Sequence, residues 1–204
     1  LGGGGLPANN QKVLSEARIL EIVSESLALK KRFFAENARR LLEVSSLIAD
    51  SLRKGGKVLA FGNGGSAADA QHFAGELVGR FLRERPGLSA LALTTDPSVI
   101  TALGNDYGFD RVFARQVEAH GRAGDVALAF STSGNSQNVL LGLSQARAQG
   151  LRTVGLTGRG GGGVARLVDH LIDVPHSETP RIQEVHGMVV HLLCQAIEED
   201  LFPG

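Results

Sequence analysis

The chain reads as one α/β domain: a doubly wound, five-stranded parallel sheet flanked by helices, with an added helical layer at the N-terminus. Three observations predict it. From residue 57 onward, five short apolar runs alternate with stretches of helical periodicity. Glycine- and serine-rich turns follow the first and third runs, where open α/β sheets bind their ligands. Ahead of the first run, residues 11–53 contain neither Gly nor Pro.

In that leading stretch Leu41, Val44, Ile48 and Leu52 recur at helical spacing, predicting one long helix or two consecutive ones. Lys54-Gly55-Gly56 ends it. KVLAF (57–61) is continuously apolar, as expected of a strand covered on both faces. A glycine-rich turn and a helix over about 67–81 follow. LSALALTT (88–95) predicts the second strand. Then comes a helix opened by DPSVITALGN, with Pro97 suited to the first turn. DVALAFS (125–131) predicts the third strand, before a helix over 136–149. RTVGLTG (152–158) and HLIDVP (170–175) are the last strands, and a final helix spans about 179–200. The tract 158–163 reads as a mobile loop rather than a linker, because too little chain flanks it for two cores. Residues 11–204 therefore form a single domain. LGGGGLPANN (1–10) reads as a flexible arm or cloning remnant, lacking the basic and apolar regions of a signal peptide.

Composition narrows the function classes. Equal numbers of basic and acidic residues, 21 each, leave no cationic excess for nucleic acid or an anionic membrane. No apolar run approaches membrane-spanning length. Cys194, the single cysteine, reads as a small buried hydrophobe in a reducing cytoplasm.

The strand-end segments carry the chemistry. After the first strand, GNGGSAADAQHFAGEL lets backbone approach a ligand closely at Gly62, Gly64 and Gly65. It then opens a helix whose N-terminus favours anions. The match to G-x-G-x-x-A is weak evidence for a dinucleotide, because no acidic residue stands at the usual offset and Asp96 is too distant. After the third strand, STSGNS sets Ser131, Thr132, Ser133 and Ser136 beside helix N-terminal amides. One hydroxyl suffices for a helix cap, whereas four suit a phosphate monoester. His72 and Glu76 stand four apart on one helix, and Gln183 and His191 eight apart on the last. Two imidazoles, a carboxylate and an amide oxygen from two helices can surround a zinc ion. Taken singly, a His/Glu i,i+4 pair is more often a solvated helix face, and a lone His in VVHLLC more often a satisfied core histidine.

Taken in order, GNGGSAADAQHFAGEL, ALTTDPSVITALGNDYGF, STSGNS and RIQEVHGMVVHLLC resemble the bacterial phosphoheptose isomerases of the sugar isomerase (SIS) superfamily. The resemblance runs over about 54–200; the N-terminal helical region is similar in pattern only. It implies the SIS fold and a cytoplasmic homotetramer with active sites at subunit interfaces. Its implied reaction converts sedoheptulose 7-phosphate to D-glycero-D-manno-heptose 7-phosphate, for bacterial surface polysaccharide. The implied zinc ligands are His72, Glu76, Gln183 and His191, one ion per subunit. Asn63, Gly64, Gly65, Asn105 and Asp106 would line the sugar, with Glu76 and Gln183 also touching substrate. Ser131, Thr132, Ser133 and Ser136 would hold the phosphate. Glu76 and His191 are expected to be the acid–base pair. Pro180 departs from relatives that carry an acidic residue there. A non-catalytic branch of the superfamily, which binds the replication initiator, is the alternative. That branch typically lacks the helix glutamate and the last histidine, and this chain has both Glu76 and His191.

Overall fold

The structure, a computed structural model, describes residues 14–203. The expected arm at 1–10 lies outside these. The leading stretch forms a single helix, α1 (Glu16–Arg53), opened by Ser15, whose hydroxyl accepts from the Arg18 amide at 3.2 Å. The remaining elements are β1 (Val58–Gly62), α2 (Gly65–Val78), β2 (Ala90–Ala92), α3 (Pro97–Tyr107), α4 (Val112–His120), β3 (Val126–Ser131), α5 (Gln137–Ala148), β4 (Arg152–Thr157), β5 (His170–Asp173) and α6 (Thr179–Leu201).

All five strands are parallel, in the order β2-β1-β3-β4-β5. The chain winds outward in both directions from β1 and β3, so the crevice at their carboxyl ends is the topological switch point. Strand residues alternate between two cores, following the two-residue period of a strand. Val58, Ala60, Val126, Leu128 and Phe130 face α1, α2 and α6, while Leu59, Phe61, Ala127 and Ala129 face α4 and α5. Full burial of a side chain such as Phe130 is worth about 1.5–3 kcal/mol. Both faces are thus covered, which is why the central strands β1 and β3 are almost wholly apolar.

Two elements differ from expectation. The second strand holds only three ladder residues, because β2 is an edge with β1 as its sole neighbour. Helix α4 was not anticipated; its Val112, Phe113, Gln116 and Val117 recur at i, i+1, i+4, i+5 and are buried. Helix α2 begins at Gly65 and stops at Val78, before Gly79. Among the described residues, no helix is long and apolar enough to cross a membrane.

Candidate active site

The two loops at the switch point are held by backbone and side-chain contacts. A Cβ at Gly62 would stand 2.7 Å from the Phe130 carbonyl oxygen, so only glycine lets β1 leave the sheet this close to β3. The Asn63 and Asn138 amides exchange two hydrogen bonds of 2.9 Å each, tying the loop after β1 to the first turn of α5. These bonds use the Asn63 carbonyl and one of its N–H groups. Gly62, Asn63, Gly64, Thr94, Ile100 and Phe109 line a cleft of about 140 Å³.

The hydroxyl loop runs from the end of β3 into α5. Ser136 is the N-cap of α5, yet its side chain makes no cap hydrogen bond; its Oγ instead lies 3.4 Å from Ser131 Oγ. Thr132 Oγ1 lies 3.5 Å from Thr179 Oγ1, and Ser133 Oγ accepts from the Asn135 amide at 3.1 Å. Backbone N–H groups tie the glycine tract to its surroundings. Gly158 N–H donates to the Thr132 carbonyl, Val164 N–H to the Gly134 carbonyl, and Gly163 N–H to Asn135 Oδ1.

Helices α2 and α6 bring three of the four candidate metal ligands together. His72 Nε2 lies 3.2 Å from Glu76 Oε1 and 3.2 Å from His191 Nε2. One ligand atom from each of the three falls within 4.8 Å of the others, a group able to hold a metal ion. Ligand atoms about 2.0–2.1 Å from a tetrahedral ion stand roughly 3.3 Å apart, which matches both contacts. Gln183 sits at the start of α2: a Cβ on Gly65 would fall 2.5 Å from its Nε2 and 2.9 Å from its Oε1. Asn105 and Asp106 are exposed on α3, hydrogen-bonded to one another at 2.7 Å, and are not among the residues that line the cleft. Pro180 occupies the first turn of α6, where its missing N–H costs nothing.

Sequence reading missed Asp69, one turn before His72 on α2. Its Oδ2 is buried and has no hydrogen-bond partner among the described residues. Desolvation pushes its carboxyl up to about 6 against the opposing charge of His72. The signal lay in the i, i+3 spacing of Asp69 and His72. His186 was also missed. It is fully buried, its Nε2 3.2 Å from the Thr157 carbonyl, and burial holds its ring down to about 4 despite that contact. His186 is thus the core histidine of α6, while His191 is exposed and faces His72.

The SIS domain family model matches residues 22–158. Curated phosphoheptose isomerases are similar over almost their full length. That of Nitratidesulfovibrio vulgaris is 54% identical over 184 residues, covering 90% of this chain and 88% of the relative. That of Aquifex aeolicus is 52% identical over 182 residues, covering 89% and 95%. The chain belongs to the phosphoheptose isomerase family of SIS-domain proteins. Solved family structures superimpose closely. The Neisseria gonorrhoeae phosphoheptose isomerase gives a TM-score of 0.85 at 44% identity, covering 90% of this chain and 98% of that one. The Francisella tularensis enzyme gives 0.87 at 36% identity, covering 90% and 97%.

Proposed function

We propose that the protein is an aldose–ketose isomerase that converts sedoheptulose 7-phosphate to D-glycero-D-manno-heptose 7-phosphate. The observation carrying this reading is the convergence of His72, Glu76 and His191 from two helices at 3.2 Å contacts, on a scaffold that also presents the Ser131–Ser136 hydroxyl loop. The relatives' names support the same reaction, not initiator binding.

The phosphate is held by Ser131, Thr132, Ser133, Ser136 and the α5 N-terminus. Anchoring that end makes proton transfer at the other an effectively unimolecular event. The backbone of Asn63, Gly64 and Gly65 borders the sugar, with Asn105 and Asp106 completing the pocket. Isomerisation removes the C1 proton while the C2 carbonyl oxygen gains one, giving an enediol. The C1 hydroxyl proton then leaves and C2 takes a proton, giving the aldehyde. Glu76 and His191 handle these protons, each worth about 10²–10⁴-fold. Asp69 is a third titratable group beside them. The set His72, Glu76 and His191, joined by Gln183, suits zinc: borderline nitrogen and oxygen ligands, with His72 3.2 Å from each of the other two. When bound, zinc supplies a Lewis acid that polarises the substrate oxygens.

The active form is a cytoplasmic homotetramer. Ile19, Leu20, Val23 and Leu27 on the N-terminal half of α1 are exposed, and no residue of α3 is buried, as expected of surfaces covered by neighbouring subunits. The product would feed the heptose of bacterial surface polysaccharide.

The test is turnover of sedoheptulose 7-phosphate before and after chelation, with zinc added back. Chelation abolishes activity and zinc restores it. Glu76→Gln and His191→Ala, folded and tetrameric, each lose at least about 10²-fold in kcat. Normal turnover by either variant would overturn the catalytic assignment.

A further inference from the structure

Helix α2 ends without a left-handed cap: Gly79 has φ −77° and ψ −111°. The last carbonyls of a helix need donors, and here a side chain supplies them. The Arg85 guanidinium is buried and donates to the carbonyls of Glu76 (2.8 Å), Leu77 (2.8 Å) and Gly79 (3.1 Å). A cation at this end also opposes the helix dipole. Its Nε donates at 3.1 Å to Glu198, a buried carboxylate on α6. Glu198 further accepts the backbone N–H groups of Phe81, Leu82 and Arg83 at 2.7–3.1 Å. Burial alone would raise the Glu198 carboxyl, but these donors together hold it below its ordinary range. Within the same segment the Phe81 ring packs on His191, centroids 5.7 Å apart.

These contacts close a circuit. Glu76 supplies both a candidate ligand and a carbonyl held by Arg85. Glu198 lies seven residues beyond His191, about two turns along the same face of α6. We infer that Arg85 and Glu198 are positioning residues: a buried ion pair that sets the spacing of α2 and α6, and with it the separation of His72 and Glu76 from His191. Where it concerns the metal, this inference rests on the zinc reading above.

The test compares Arg85→Lys and Glu198→Gln with Asp125→Asn. Lysine keeps the charge but loses the planar fork that reaches several carbonyls. Asp125 is the matched control, a buried carboxylate before β3 whose hydrogen bonds reach neither α2 nor α6. It too accepts backbone N–H groups, two where Glu198 accepts three, and one cation. In metal-free protein, both clamp variants move the ring resonances of His72 and His191. In titrations they bind zinc about 10–100-fold more weakly. Their kcat falls while KM changes little, because the hydroxyl loop is untouched. Asp125→Asn lowers the melting temperature comparably and moves none of these. Should Arg85→Lys fail to fold, Glu198→Gln, which keeps an acceptor for the backbone N–H groups, decides. Ring resonances and zinc affinity unchanged in the clamp variants, or changed equally by Asp125→Asn, would overturn the inference. If the unaltered protein binds no zinc, the metal reading falls and the ring resonances alone judge the clamp.

Discussion

Two histidines five residues apart on α6 do opposite work. Five residues turn a helix by about 500°, so His186 faces the core when His191 faces His72. Unfolded, the His186 ring takes a proton near 6.5; folded, only at about 4. Between these values the unfolded chain binds the extra proton, so stability is fully present above pH 6.5 and is lost as pH falls towards 4. The whole loss is about 3 kcal/mol. Urea unfolding of the unaltered protein and of His186→Gln between pH 7.5 and 4.5 checks this: the variant should show the shallower dependence. Asp69 carries a buried oxygen without a partner among the described residues, one turn before His72, and we propose that it serves the chemistry rather than the fold. Asp69→Asn is expected to keep the melting temperature within a few degrees while kcat falls by roughly 10²-fold.

Among the loops and helices, the strand-to-helix junction after β3 separates capping from ligand binding. An N-cap serine replaced by alanine ordinarily costs about 1 kcal/mol. Ser136 makes no cap hydrogen bond, so Ser136→Ala should cost under about 0.5 kcal/mol yet raise KM at least several-fold. A stability loss near 1 kcal/mol with unchanged KM would return Ser136 to a capping role. Gly134 is different in kind. Its φ is +65°, and a Cβ there would fall on the carbonyl of Gly161. Gly134→Ala should therefore cost about 1–3 kcal/mol and loosen the hydroxyl loop, read as a lower melting temperature together with a higher KM.

The fold has a surplus of apolar surface at one end. Helix α1 has 38 residues and is about 57 Å long, whereas a domain of this size is roughly 40 Å across. Its C-terminal half buries Leu41, Val44 and Ile48, while Leu20 and Leu27 in its N-terminal half are 69% and 61% exposed. Light scattering should give the mass of a tetramer. Leu20→Glu combined with Leu27→Glu should dissociate it and abolish turnover, since neighbouring subunits complete the pocket in the proposed assembly. A monomer that turns over normally would remove the oligomer from the mechanism.

Much of this was legible along the chain because strand and helix patterns are local. The apolar runs, the glycine turns and the i, i+4 pair His72 and Glu76 each declare themselves within a few residues. Helix α4 escaped because nine residues give too few turns for a clear period, and the edge strand β2 shrank because ladder length depends on a neighbour. His191 resisted a reading from spacing: its neighbours VV and LLC suit a core position, and only the rotation of α6 against α2 turns it towards His72. Asp69 and the Arg85–Glu198 pair were likewise hidden, since burial and a partner 113 residues away are properties of the folded state. Local order along the chain thus specified an α/β scaffold with its ligand loops at strand ends. Which side chains meet, at what distance and in how dry a setting, was decided by the packing of helices far apart in sequence, because converging on one point takes three dimensions.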